Sequence, residues 1–237
     1  PTFELEPCER ILFVGSCFAD NIGKRFEEEK FRAMVNPFGV MYNPVSVLHT
    51  VKKVANHTFD TAVFTLGTNH VYVERATGEI VDNCQKRPQR EFEERELTVE
   101  ECADALREAI TLLRQANPMV NIIITVSPIR YAKYGYHGSQ LSKAVLLLAA
   151  DKVIKEEGER VYYFPAYEIV NDELRDYRFY KADMLHPNEQ AVEYIWEQLV
   201  ATCFSAEAKQ FLEEWRPIKE ALAHRPFHPE AAAYQDF

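Results

Sequence analysis

The chain has 237 residues, with 27 basic and 37 acidic side chains and a formal charge of -10 at pH 7. It has no basic surplus to release counterions from a phosphate backbone, so nucleic acid is not an expected partner. The longest apolar runs, NIIITV (121–126) and AVLLLAA (144–150), fall well below the roughly eighteen residues of a membrane span.

The first residues, PTFELEPCER, are acidic where a secretory signal has a basic start. The sequence as written is therefore expected in the cytoplasm unless a signal has been removed. Cys8, Cys17, Cys84, Cys102 and Cys203 are odd in number and contain no C-x-x-C pair. Buried thiols in a reducing compartment are expected, with Cys17 considered separately.

In chain order, ILFV (11–14) reads as a strand, CFADNIGKRFEEEK (17–30) as a helix, FRAMV (31–35) as a strand and NPVSVLHTVKKVAN (43–56) as a helix. AVFTL (62–66) is the next strand, and HVYVERATGEIVDN (70–83) reads as a hairpin turning at Thr77-Gly78. QKRPQREFEERE (85–96) reads as a solvated loop or helix lead-in, before a helix over LTVEECADALREAITLLRQAN (97–117). NIIITV is a strand, SQLSKAVLLLAADKVIKEEG (139–158) a helix and VYYF (161–164) a strand. A further helix follows, with Pro187 at its first position, then another over 205–224, and RPFHPEAAAYQDF closes the chain with little periodicity.

Short continuous apolar runs fit strands covered on both faces, and their alternation with helices implies right-handed parallel crossovers. The expected fold is α/β, a three-layer α/β/α sandwich around a mainly parallel five-stranded sheet. Residues 1–204 form its main unit, and 205–237 form a helix and tail packed on or extending the same domain.

Ligands of open parallel sheets sit at the carboxyl ends of the strands, so GSCF, directly after ILFV, lies at the expected site. Gly15 permits a backbone path closed to other residues, and Ser16 stands where a helix begins. A serine there is either a helix cap or a nucleophile. The second feature is ADMLHPNEQ (182–190): of seven histidines, His186 alone has an aspartate, Asp183, three residues earlier. A hydroxyl becomes a nucleophile when an imidazole accepts its proton, and the imidazole needs a carboxylate to fix its tautomer. Ser16, His186 and Asp183 supply those three roles. Cys17 competes as nucleophile, but neighbouring residues at such a turn point in different directions, which favours packing for the thiol.

GSCFAD after an apolar strand resembles the GSCFA-domain family, and DMLHPNEQ resembles the D-x-x-H block of the wider SGNH/GDSL hydrolase superfamily. NPFGVMYNP (36–44), FTLGT (64–68), TVSPIR (125–130), HGSQLSKAVL (137–146), YFPAYEIVNDELRDYRFY (163–180) and HRPFHPE extend the resemblance over nearly the whole chain. It implies a flavodoxin-like fold of the SGNH-hydrolase type with a Ser–Asp–His site for ester or acyl-group hydrolysis and sometimes acyl transfer. It also implies an oxyanion hole from the N–H groups of Ser16 and Gly39 and the side chain of Asn69, with Asn36 or Asn43 able to replace Asn69. Gly15 departs from the pattern, standing where an aspartate usually precedes the nucleophile.

SPIRYAKYGYHGSQLSK (127–143) follows the fourth long apolar strand and so lies on the rim of the site. Arg130 and His137 there, and Asn36 in the glycine loop, are expected substrate contacts, although an ordinary ion pair fits Arg130 equally and Lys143 shares that ambiguity. EFEEREL (91–97) and NDELRD (171–176) read as helix-spaced or solvated charges without partner histidines, so neither metal nor cofactor is expected. The function expected is hydrolysis of a small acyl ester, for example an acetylated sugar, through an acyl-serine. An acyltransferase with the same triad, or a non-catalytic binding module on the same fold, is the alternative.

Overall fold

A strand covered on both faces must be apolar at successive positions, and in the computed structural model, which describes residues 1–224, each predicted run is a strand, fully buried at 61–66 and 121–126 and partly exposed at the sheet edges, 32–35 and 161–163. The strands are β1 (Arg10–Gly15), β2 (Arg32–Val35), β3 (Thr61–Leu66), β4 (His70–Glu74), β5 (Ile80–Val81), β6 (Phe92–Glu96), β7 (Asn121–Val126) and β8 (Val161–Tyr163). Five of them form one sheet in the order β2-β1-β3-β7-β8, every neighbouring pair parallel. Counted within that sheet the order is 2-1-3-4-5, which reverses direction between β1 and β3. The crevice above the carboxyl ends of those two strands is where such folds take ligands.

The helices are α1 (Cys17–Glu28), α2 (Pro44–Val54), α3 (Val99–Ala116), α4 (Gly135–Glu157), the single turn α5 (Ala166–Glu168) continued by π-helical Ile169–Leu174, α6 (Glu189–Cys203) and α7 (Ala206–Ala223). Alternate strand residues feed two cores. Leu12, Val14, Phe64 and Ile124 join α2, α3 and α4 on one face, while Phe13, Val63 and Ile123 join α1 and α6 on the other. The second core is aromatic, with the Phe26 ring 4.9 Å from Phe13 and 5.1 Å from Trp196. Each such fully buried side chain is worth roughly 1.5–3 kcal/mol over an exposed one. The result is an α/β/α sandwich. Ala208 of α7 is buried in the same core, and the Trp215 indole donates to the Glu28 carbonyl.

Three expectations change. The stretch 85–96 is neither loop alone nor helix lead-in: Phe92–Glu96 is a strand, pairing antiparallel with β4 in a small sheet of order β5-β4-β6. Glutamate disfavours strands, but tertiary partners decide here. Phe92 and the following Leu97 are buried, Arg75 pairs with Glu93 at 3.4 Å and Lys133 with Glu94 at 2.5 Å. Pro187 does not start α6, since Asn188 caps it by accepting from the Ala191 N–H at 3.0 Å, and Pro187 instead bridges to Tyr180. Of the cysteines, Cys102 and Cys203 are buried, their thiols pushed up to about 12 by desolvation, whereas Cys8 in the turn before β1 is exposed and Cys84 half-buried. The HRPFHPE segment lies outside the described residues beyond His224. No helix among the described residues is long and apolar enough to cross a membrane.

Candidate active site

β1 ends against β3 so closely that a Cβ on Gly15 would fall 2.1 Å from the Thr65 carbonyl oxygen. An aspartate cannot occupy this position without displacing β3. Ser16, fully buried, then turns the chain into α1: its N–H donates to the Thr65 carbonyl at 3.0 Å, and its Oγ accepts from the Phe18 N–H at 3.2 Å. The Thr65 hydroxyl stands 3.3 Å from that Oγ. The cap and the nucleophile candidate are thus the same oxygen, at the positive end of a helix.

The loop after β2 laces over this turn. Asn36 Oδ1 accepts from the Gly15 N–H at 2.9 Å while its Nδ2 donates to Asp20 at 2.6 Å, and the Met41 N–H donates to the Gly15 carbonyl. Both ends of the Asn36 amide are therefore engaged within the fold, where they brace the turn. Thr65 and Asp20 lie inside the FTLGT and GSCFAD stretches, but a motif alone does not give either side chain a partner.

Asp183 and His186 share one turn of the loop before α6. Asp183 Oδ1 accepts from the Leu185 and His186 N–H groups at 2.8 and 3.0 Å, and Oδ2 lies 2.7 Å from His186 Nδ1. The two backbone donors, with the imidazole adding to them, hold the carboxyl at about 2. An ionised carboxylate only accepts, so Nδ1 carries a proton and Nε2 is the ring nitrogen left clear of the carboxylate. Both side chains are partly open, 44% and 35% exposed. The loop is tied to the carboxyl end of β7 by the Arg130 N–H, which donates to the Leu185 carbonyl at 3.1 Å. The next residue, Tyr131, reaches across to β3, where its Oη occupies the place a Cβ on Gly67 would take, 2.2 Å away.

The structure brings both halves to the carboxyl edge of the sheet but does not join them by a hydrogen bond. The Ser16 hydroxyl bonds Thr65 and the Phe18 N–H, and none of its bonds among the described residues reaches His186. Each expected oxyanion donor has a partner in the fold. Ser16 N–H is bonded to Thr65, Gly39 N–H donates to the Asn36 carbonyl at 2.8 Å, and Asn69 Nδ2 donates to the Leu97 carbonyl at 2.8 Å. Asn69 is buried and anchors the small sheet, its backbone N–H bonded in turn to Ser142 Oγ. Asn43 Oδ1 caps α2 by accepting from the Ser46 N–H.

Lys143 grips no anion. It is buried, and Nζ donates to the carbonyls of Gly67 and Ser127, each at 2.7 Å, pinning the carboxyl ends of β3 and β7. Burial lowers its pKa to about 7. The sequence did carry the signal, since Lys143 falls on the stripe of Ser139, Leu146, Ala150 and Val153 that α4 buries. Cys17 begins α1 half-buried against the Tyr42 hydroxyl, whose pKa rises through burial and the neighbouring thiol.

A cleft of about 560 Å³ opens beside Asp183, with Arg130, Tyr131, Tyr136, Tyr177 and Leu185 in its walls. Arg130 is half-buried and makes no ion pair among the described residues; its guanidinium lies 4.1 Å from the centre of the Tyr180 ring. His137 is exposed on the first turn of α4 and is not among the residues that line the cleft. No group of three histidine, cysteine or acidic side chains that could hold a metal occurs among the described residues.

The GSCFA family model matches residues 10–62 and 56–199, and a model for the C-terminal domain of GSCFA domain proteins matches residues 215–237. No curated protein sequence matches the chain. Among solved structures, an α/β hydrolase enzyme from the metagenome of Lake Arreo, Spain, is 13% identical with a TM-score of 0.55, covering 83% of this chain and 95% of its own. A structure described as a putative GDSL-like lipase from Parabacteroides merdae is 14% identical with a TM-score of 0.52, covering 85% and 99%. An acetyl esterase mutant with acetate ion is 11% identical with a TM-score of 0.50, covering 88% and 99%. At these identities the likeness is one of fold.

Proposed function

The chain belongs to the GSCFA family, and on that premise we propose that it is a serine hydrolase of the SGNH/GDSL type acting on small acyl esters. The observation that carries this reading is the Asp183–His186 pair, an imidazole held by a carboxylate at 2.7 Å with Nε2 left to accept a proton. It lies at the same edge of the sheet as a serine on the first strand-to-helix turn. Structural neighbours described as a GDSL-like lipase and an acetyl esterase support the superfamily placement and an acetyl-sized acyl group. Five unpaired cysteines support a reducing, cytoplasmic setting.

In this mechanism Ser16 Oγ leaves the Phe18 N–H and attacks the ester carbonyl carbon while its proton passes to His186 Nε2. Asp183 stabilises the resulting imidazolium. Collapse of the tetrahedral intermediate breaks the C–O bond to the alcohol, which departs with the proton from His186. Water then attacks the acyl-serine with His186 as base, releasing the acid and restoring Ser16. With an alcohol in place of water the same groups perform acyl transfer. For the backbone N–H groups of Ser16 and Gly39 to serve an oxyanion hole they must change partner, whereas Asn69 Nδ2 has a second hydrogen beside the one given to Leu97.

The burial of Ser16 Oγ and its capping bond favour a second reading, a binding module that keeps the fold without turnover. Fluorophosphonate labelling separates the two. The hydrolase reading expects a phosphonylated Ser16 in the wild type and none in His186→Ala. An unlabelled wild type, under conditions that modify a control esterase, rejects it.

A further inference from the structure

The cleft beside Asp183 has one cationic residue in its wall, Arg130, and one anionic residue, Asp183, whose oxygens are already taken by Leu185 and His186. Other arginines, such as Arg10 on Asp60, spend their donors on carboxylates. Arg130 does not: its guanidinium lies over the rings of Tyr180 and Tyr177, at 4.1 and 5.1 Å from their centres. Part of the guanidinium also interacts with the Tyr180 hydroxyl, lowering the pKa that burial raises there, and the remaining N–H donors are those open to a planar anion. The backbone N–H of the same residue holds the Leu185 carbonyl, which joins Arg130 to the loop that carries Asp183 and His186. Two further walls, Tyr136 and Tyr177, are 85% and 56% exposed, and Ser139 and Gln140 add polar groups between them. A pyranose has apolar C–H faces and polar edges, which such rings and amides complement, and about 560 Å³ accommodates one or two sugar units.

Resting on the hydrolase reading, we propose that the alcohol portion of the substrate is a carbohydrate bearing a carboxylate, seated in this cleft with its carboxylate in the fork of Arg130. The protein's own charge of -10 opposes long-range attraction of an anion. Selectivity therefore comes from contact, and removing this one side chain removes it.

The test compares mono-acetylated methyl glucuronoside with mono-acetylated methyl glucoside, which differ only in a carboxylate for a hydroxymethyl group. Acetate release gives kcat/KM for each with the wild type, Arg130→Met and Arg130→Lys, and thermal unfolding confirms that each variant is folded. The expected result is a wild-type preference for the glucuronoside that falls about 10- to 100-fold in Arg130→Met and is partly retained in Arg130→Lys. No preference, or a preference that Arg130→Met leaves intact, overturns the proposal while leaving the hydrolase reading standing. Acetylated glucose 6-phosphate is the third arm, and a stronger Arg130-dependent preference for it replaces the carboxylate with phosphate. If no ester is cleaved and Ser16 resists labelling, the hydrolase reading fails on its own. Calorimetry with unesterified methyl glucuronoside then decides the site: Arg130-dependent binding supports it and absence of binding overturns it.

Discussion

Ser16 is held by Thr65, 49 residues away, whereas Asp183 is held by His186 and Leu185, three and two residues on. The first half of the site is a product of the whole fold, since strand pairing, the Gly15 approach and the Asn36 brace all converge on one buried oxygen. The second half is a self-contained turn, open to solvent, whose geometry needs little beyond its own backbone. On the hydrolase reading, the proposed nucleophile has the first kind of support and the proposed base the second. Substitutions should therefore cost different things in the two halves.

The largest effect belongs to the pair of variants that divides them. Asp183→Asn keeps an oxygen for the Leu185 and His186 N–H groups but turns an N–H donor toward Nδ1, which forces the wrong imidazole tautomer. Turnover of an acetyl ester is expected to fall by roughly 10⁴-fold with only a small downward shift in thermal midpoint, because the lost carboxylate interactions are exposed and screened by solvent. Ser16→Ala is expected to abolish acyl-enzyme formation and also to lose about 1 kcal/mol of stability, because the same oxygen caps α1. Parallel acetate-release and unfolding measurements check both. Equal loss of stability in the two variants breaks the comparison.

Lys143 sharpens the picture from below the site, where it ties β3 to β7. Burial lowers its pKa from 10.5 to about 7, so between those values the unfolded chain binds a proton that the folded protein does not. Stability therefore rises with pH across that window and is flat, for this group, below it. The neutral amine retains two N–H donors for the Gly67 and Ser127 carbonyls. Urea unfolding of the wild type and Lys143→Met between pH 7 and 10 is expected to show the wild type gaining on the variant, by at most about 1.4 kcal/mol per pH unit. Parallel pH profiles mean that Lys143 stays charged in the folded protein.

The central strands β1, β3 and β7 were legible because burial on both faces leaves unbroken apolar runs. The partly exposed edge strands β2 and β8 were legible only through their short length and alternation with helices, and the Asp183–His186 pair because a spacing of three closes within one turn. β6 was not, since its acidic residues are strand only by virtue of partners on β4 and at Arg75 and Lys133, none of them local. Gly39 and Asn69 expose a different limit. A motif places an amide near a site, but the direction of its N–H depends on neighbours such as Leu97, which arrives from a separate strand.

Asn69 accordingly gives the smallest and most discriminating prediction. Its Nδ2 donates to Leu97 in a buried setting, and its Oδ1 has no partner. If the side chain anchors the small sheet, Asn69→Ala leaves a buried carbonyl unsatisfied and costs about 1–3 kcal/mol in denaturant unfolding. Turnover then changes by less than about 10-fold, because no donor to the reacting oxygen has been lost. An oxyanion donor behaves in the opposite way, lowering kcat by roughly 10²–10³-fold. Measuring both quantities on one variant thus decides whether the bond to Leu97 persists when an ester occupies the site or is exchanged for the developing oxyanion.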